Sequence, residues 1–192
     1  MNKNIITISA PSGSGKTTLC KALRKVREDI LWSVSYTTRE PRKNENNGLD
    51  YYFISKNQFK ERIKKNNFIE WQNVHGNYYG TPRFIFKDAI KENKILLFEV
   101  DVKGALSLKE NNPENTFTIF ILPPSLEDLR IRLIKRGSDS QERIEIRLNR
   151  LKEEMKYKDF FDFVIINKNL SVAKKALITK VNQLTKGEKN VN

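Results

Sequence analysis

Ile5-Ile6-Thr7-Ile8-Ser9-Ala10-Pro11-Ser12-Gly13-Ser14-Gly15-Lys16-Thr17-Thr18 is the stretch on which the fold turns. It opens with an alternating apolar run, and past Thr18 the residues Leu19, Ala22, Leu23 and Val26 recur at helical spacing. A strand, a glycine-rich turn ending in Gly-Lys-Thr and a helix make a phosphate-binding P-loop. Gly13 and Gly15 can take backbone angles that turn successive N–H groups toward phosphate oxygens. The new helix adds the positive end of its dipole. Lys16 can reach the β- and γ-phosphates of a nucleotide triphosphate such as ATP, and the Thr17 hydroxyl can sit on Mg²⁺. Ala10 stands at the first motif position, where glycine is usual; the turn tolerates it if its φ stays negative.

Outward from this turn, composition sets the frame. A chain of 192 residues suits one α/β domain with insertions. No apolar run approaches the roughly 20 residues that span a bilayer, so no membrane partner is expected. The sequence moves directly into the P-loop strand, so no signal peptide is expected. A single cysteine, Cys20, excludes an intrachain disulfide, fits a reducing compartment and points to the cytoplasm. The net charge of +13 invites a nucleic-acid reading. Its basic residues are scattered, however, and no zinc-finger spacing, RRM signature or heptad array accompanies them. Surface lysines selected by base-composition bias, with steering of anionic nucleotides, explain the charge without a nucleic-acid partner. His75, alone beside Gly76, reads as a surface residue.

Strand and helix patterns alternate along the chain, which predicts an α/β fold. Trp32–Thr37 reads as one extended segment and Tyr51–Phe53 as a short strand. Ser55 caps a helix to about Asn66, with Phe59 and Ile63 inward. Phe68–Val74 and Tyr78-Tyr79 read as strands about a turn, and Pro82 suits the first turn of a helix carrying Phe86, Ala89 and Ile90. Ile95–Val100 and Thr116–Leu122 read as buried parallel strands, and Phe163–Ile166 as a last strand. Helices are predicted from Ser125 to Arg136, from about Ser140 to Tyr157, and over Ser171–Leu184. The expectation is a single domain over 1–186 whose order of parts resembles the layout of nucleoside monophosphate kinases: a P-loop parallel-sheet core of 1–34, 92–126 and 158–186 flanked by helices, a β-rich insertion over 35–91 that the resemblance implies is acceptor-binding, and a small helical lid with flanking helices over 127–157. Residues 187–192 form a tail.

Ser33-Val34-Ser35-Tyr36-Thr37-Thr38-Arg39-Glu40-Pro41-Arg42 and Gly48-Leu49-Asp50-Tyr51-Tyr52-Phe53 resemble the signature of the guanylate kinase family. So do Phe68-Ile69-Glu70, Asn77-Tyr78-Tyr79-Gly80-Thr81, Val100-Asp101-Val102-Lys103-Gly104-Ala105, Arg136-Gly137-Ser138-Asp139-Ser140 and Arg147-Leu148. The series runs in order from about Ile5 to Leu184. The resemblance implies that GMP, and dGMP beside it, is the phosphoryl acceptor and ATP with Mg²⁺ the donor. It implies a phosphate cage of Arg39, Arg42, Tyr51 and Tyr79, with guanidinium forks matched to a dianion and phenol hydroxyls completing it. Guanine offers N1–H and an exocyclic amino group side by side. Glu70 would accept both, with Asp101 as a second acceptor, while Ser35 and Thr81 would donate to O6 or N7. Arg132, Arg136 and Arg147 match donor-side arginines of the lid, and Asn167 matches a residue near the adenine. Glu99 stands where relatives commonly carry Asp, one methylene shorter.

These residues imply in-line transfer without a side-chain nucleophile, with Lys16, Arg39, Arg132, Arg136 and Arg147 stabilising charge. Ala10 to Thr18 and Asn167 would bind ATP. Insertions on either side of a shared cleft imply closure around the nucleotides. Two rival readings are a non-catalytic module of the same fold and a nucleic-acid-binding P-loop protein. Modules of the first kind characteristically lack the P-loop lysine, and Lys16 is present. The chain would act as a monomer or a homodimer.

Overall fold

The computed structural model describes residues 3–43, 45–74, 76–92, 94–137 and 140–185, with the main chain alone at Ile90 and Arg136. His75, the 187–192 tail, Ser138 and Asp139 of the break expected over Gly137–Ser140, and the Arg136 side chain lie outside the described residues. In chain order the elements are β1 (Ile5–Ser9), α1 (Lys16–Val26), β2 (Ile30–Trp32), β3 (Tyr36–Thr37), β4 (Tyr52–Phe53), α2 (Lys56–Lys64), β5 (Phe68–Val74), β6 (Asn77–Pro82) and α3 (Phe84–Glu92). There follow β7 (Ile95–Glu99), α4 (Val102–Asn111), β8 (Thr116–Leu122), α5 (Leu126–Arg136), α6 (Gln141–Met155), a short 3₁₀ turn at Lys158–Phe160, β9 (Phe163–Ile166) and α7 (Leu170–Thr185). The fold is α/β, with a five-stranded parallel sheet in the order β2-β7-β1-β8-β9 and a four-stranded sheet in the order β4-β3-β6-β5.

Contacts divide the chain into two compact units, Met1–Glu28 with Glu99–Asn192, and Asp29–Phe98. In the first unit β8 pairs in parallel with both β1 and β9. All five residues of β1 are buried, Thr7 and Ser9 included. The alternation in its sequence therefore does not sort an inner from an outer face, because the strand is covered on both sides. Phe120, Ile119 and Ile121 of β8 are fully buried, as are Leu129 and Leu133 of α5 and Leu177 and Val181 of α7. Cys20 joins this core, and burial, then the charge of Glu99, raises its thiol pKa well above the ordinary value. Asp162 fastens β9 to β8, accepting from the Thr118 amide and hydroxyl at 2.9 Å each while Lys109 Nζ lies at 2.6 Å.

In the second unit, Phe59 of α2 stacks on Phe68 and Tyr78, and Tyr36 stacks on Tyr52, forming an aromatic core on one face of the four-stranded sheet. Ser55 caps α2 through a capping box with Gln58.

Several local expectations change. Trp32–Thr37 is not one strand: β2 pairs with β7, while β3 pairs with β4 and β6. Pro82 closes β6 opposite Phe68 rather than opening a helix, and α3 begins at Phe84. A proline lacks an N–H, and the last position of a strand can spare one. Val26 ends α1 exposed rather than on the buried face. Helix α4 has no counterpart among the predicted elements. Gly104 inside it weakens the helical signal, and the Asp101 side chain that accepts from the Gly104 amide supplies its start.

Candidate functional site

The Pro11–Ser14 turn is closed by the Ser14 amide donating to Pro11 O at 3.1 Å. Gly13 and Gly15 sit at φ of 94° and 91°, in the left-handed region that the turn requires. Helix α1 then begins its own ladder with the Leu19 amide on Gly15 O, so the amides from Gly15 to Thr18 lie ahead of that ladder. This N-terminus has no side-chain cap and no acidic residue in its first turn, whereas α2, α4, α5 and α6 are capped by Ser55, Asp101, Ser125 and Ser140. An uncapped, dipole-positive helix start is complementary to an anion.

Around it stand charged and hydroxyl side chains. The Thr17 hydroxyl donates to Glu99 Oε1 at 2.8 Å, and Lys16 Nζ lies 3.8 Å from the same oxygen and donates to Val100 O at 3.1 Å. The longer Glu99 side chain thus still reaches the P-loop hydroxyl. Arg147 Nη1 donates to Ser12 Oγ. Arg132 Nη2 donates to Asn167 O at 2.7 Å, and Asn167 Nδ2 donates to Ser14 O at 2.8 Å. The structure therefore brings Lys16, Thr17, Glu99, Ser12, Arg147, Asn167 and Arg132 to one turn. Ser14 is fully buried, and its hydroxyl has no hydrogen-bond partner among the described residues, so the loop offers its backbone rather than this side chain. Asp101 caps α4 at 2.8 Å and lies 4.0 Å from Arg150 Nη2. Arg150 also donates to Glu154 at 2.5 Å. Burial raises the Glu154 pKa above the ordinary carboxylate value despite the charge of Arg150.

In the second unit the candidate residues meet through register. Tyr36 opposes Gly80 and Tyr52, and Glu70 opposes Thr81. Because side chains alternate along strands, Tyr51, Ser35, Thr81 and Glu70 fall in one row across the face opposite the aromatic core, with Tyr79 on the same face. A β-bulge between Phe68 and Glu70 makes this possible. It turns Phe68 into the core and Glu70 to the other side, where an unbroken strand would put both on one face. Thr81 Oγ1 donates to Glu70 Oε1 at 2.5 Å, and Ser35, Thr81 and Glu70 are all buried.

Arg39 lies 5.6 Å from the Tyr51 ring centroid, and Tyr51 meets Tyr79 edge-on at 6.1 Å. Sequence reasoning missed Glu45. Its two oxygens accept from Arg39 Nη2 at 2.9 Å each, and one also accepts from the Arg42 amide at 2.8 Å. Arg42 Nη1 lies 3.7 Å from the same carboxylate. Burial works to lower the Arg39 pKa, but the Glu45 hydrogen bond and charge, with Tyr79, raise it above the ordinary guanidinium value. Arg39 therefore stays charged. The available signal was a carboxylate three residues past Arg42 in the same polar turn.

A parallel sheet with a P-loop at the end of β1, and a separate sheet face carrying tyrosines, a buried acid–hydroxyl pair and an arginine beside it, point to the class: a P-loop nucleotide-binding phosphotransferase. A protein-family model described as guanylate kinase matches residues 2–184. The chain is 44% identical over 175 residues to a guanylate kinase of Wolinella succinogenes, covering 91% of this chain and 81% of that one. It is also 44% identical over 186 residues to a guanylate kinase of Clostridium acetobutylicum, covering 96% and 86%. The crystal structure of guanylate kinase from Anaplasma phagocytophilum superposes with a TM-score of 0.78 at 30% identity, covering 96% of this chain and 87% of that one. The chain belongs to the guanylate kinase family.

Proposed function

We infer that the chain transfers the γ-phosphoryl group of ATP to the phosphate of GMP. A GMP phosphate oxygen bonds to the γ-phosphorus while the bond to the β–γ bridging oxygen breaks, giving GDP and ADP. The observation that carries the acceptor assignment is the row Tyr51–Ser35–Thr81–Glu70 beside Tyr79 and Arg39. An ionised Glu70 accepts from guanine N1–H and the amino group, whereas adenine presents a bare nitrogen at that edge. A buried acid left unpaired is costly, and discrimination of about four orders of magnitude is attainable. Ser35 donates to O6 or N7, Thr81 does so when its hydroxyl turns from Glu70 to the base, and Asp101 is a second acceptor for the amino group. Arg39, Arg42, Tyr51 and Tyr79 hold the acceptor phosphate. Glu45, which pairs with Arg39 and lies beside Arg42, keeps both arginines aimed when GMP is away.

On the donor side the amides at the start of α1 and Lys16 take the ATP phosphates, and Ser12 with Arg147 stands at the rim of the turn. Lys16, Arg39, Arg132, Arg136 and Arg147 stabilise the charge that spreads over the transferring group, and positioning does the rest. Mg²⁺ suits the donor set. Thr17 and Glu99 offer hard oxygens beside the P-loop, and among the described residues no group of three His, Cys, Asp or Glu forms a metal cage of its own. Mg²⁺ characteristically takes one or two protein oxygens and completes its shell with phosphates and water. When bound it neutralises phosphate charge; Thr17 would hold it, with Glu99 orienting the Thr17 hydroxyl.

dGMP is proposed as a further acceptor. No helix among the described residues is long and apolar enough to cross a membrane. We place the enzyme in the cytoplasm as a monomer or homodimer, without a nucleic-acid partner. ADP formation measured with GMP, dGMP, AMP, CMP and UMP tests the reading. Turnover with GMP and dGMP alone is expected, and equal rates with AMP and GMP would overturn the base-selection argument.

A further inference from the structure

The contacts of Asn167 set it apart from the other candidate donor-site residues. It is only 4% exposed, at the end of β9, and its main-chain N–H, its carbonyl and its side-chain amide are all committed. The main-chain N–H donates to Leu122 O at 2.8 Å, at the end of β8. The carbonyl accepts from Arg132 of α5 at 2.7 Å, and the side-chain amide donates to Ser14 O inside the P-loop at 2.8 Å. A Cβ built on Gly15 would stand 2.5 Å from Asn167 Nδ2, closer than real Cβ contacts come. Gly13, the other left-handed position, is pressed in the same way against α5, where a Cβ would stand 2.7 Å from Leu129 Cδ1 and 3.1 Å from Leu133 Cδ2. One face of the turn therefore rests on a floor of Asn167, Leu129 and Leu133.

We propose that Asn167 is a positioning residue for phosphate binding, acting through the Ser14–Gly15 peptide rather than by touching the adenine. The proposal rests on the reading of the P-loop as the ATP-phosphate site. In a trans peptide the carbonyl and the N–H point in opposite directions. A side chain that holds the Ser14 carbonyl down on the floor therefore turns the Gly15 N–H up, toward the side where α1 opens. Gly15 has no Cβ and would otherwise rotate this peptide at little cost. Only the NH₂ end of Asn167 can make the bond, because Ser14 O is an acceptor. Arg132 completes the clamp. It grips the carbonyl of Asn167 from the helix that also supplies Leu129 and Leu133, so α5 sets both glycines of the loop.

The two roles for Asn167 separate with a ligand that has phosphates and no base. Calorimetric binding of ATP and of inorganic tripolyphosphate, each with Mg²⁺, is compared for the wild type, Asn167→Ala and Asn167→Asp, with KM for GMP measured alongside. Loss of one buried hydrogen bond is expected to weaken ATP and tripolyphosphate by the same factor, about tenfold. Asn167→Asp sets an acceptor against Ser14 O and should weaken both further, while KM for GMP stays unchanged in either variant. Asn167→Ser keeps a donor on a shorter arm and provides the same comparison if the alanine variant unfolds. Weaker ATP binding with tripolyphosphate unaffected, or a changed preference between ATP and GTP as donor, would overturn the proposal in favour of base contact. Tripolyphosphate that fails to bind the wild type would instead remove the phosphate-site reading on which it stands.

Discussion

On the proposed reading, the P-loop of the first unit and the acceptor face of the second are both phosphate sites, built on opposite plans. The P-loop would bind with main-chain amides of one short turn, joined by Lys16 and Thr17, on a backbone that Asn167 and α5 hold still. In that reading the acceptor face would bind with side chains brought from β5, β6, the residues just before β3 and β4, and the turn that carries Arg39, Arg42 and Glu45. In the first plan the conformation of two glycines is the critical quantity. In the second it is strand register, since a one-residue slip would move every contact to the aromatic core side. The donor site can therefore be damaged by a single torsion, whereas the acceptor site is damaged by loss of a particular charge or hydroxyl.

The comparison is broken most directly at Lys16. Lys16→Ala should lower kcat by about 10²–10³-fold, the usual cost of removing one preorganised donor to developing charge. Steady-state ADP formation checks this, and full activity would remove Lys16 from phosphoryl transfer. On the other site, Glu70→Gln turns an acceptor into a donor facing guanine N–H groups. It should lower kcat/KM for GMP by about 10- to 100-fold, the cost of one to two unmade buried hydrogen bonds, and leave KM for ATP unchanged. A parallel rise in both KM values would mean that Glu70 serves the fold rather than the base.

Gly80→Ala tests the packing beneath the acceptor face. A Cβ there would stand 2.8 Å from Phe59 Cζ and 2.9 Å from Phe68 Cδ1, both ring atoms of a packed stack. Such overpacking costs about 1–3 kcal/mol, visible as a lower melting temperature and a higher KM for GMP while tripolyphosphate still binds. The smallest effect is expected at Asp162, in the other unit. Burial opposes its charged form, but the Lys109 and Thr118 hydrogen bonds hold its pKa below the ordinary value. It therefore contributes stability that is whole above the unfolded pKa of about 3.9 and is lost as pH falls through the lower folded pKa. Asp162→Asn should melt below the wild type at pH 7, with the gap closing toward pH 3. A gap that does not change with pH would assign the loss to packing alone.

How far each site could be read from the chain follows the same division. Gly13, Gly15, Lys16 and Thr17 lie together in sequence, and their strand and helix neighbours are local, so the whole donor turn was legible. Arg39, Arg42, Tyr51, Glu70 and Tyr79 were recognisable only as a family pattern, because nothing local states that β3 lies between β4 and β6. Glu45 was missed since a carboxylate in a polar turn looks solvated until its arginines fold back onto it. Pro82 was misplaced because a proline before a helical pattern and a proline ending a strand look alike in one dimension.

Local chemistry by itself determined the P-loop, the β1, β8 and β9 strands and the capped starts of α2 and α5, because each depends on residues a few positions apart. Tertiary structure decided what those elements hold. Lys16 meets Val100 across 84 residues, and Asn167 meets Ser14 across 153. The bulge between Phe68 and Glu70 chooses which of the two faces the core. Such contacts arise from sheet order and register, which no short stretch of the chain encodes.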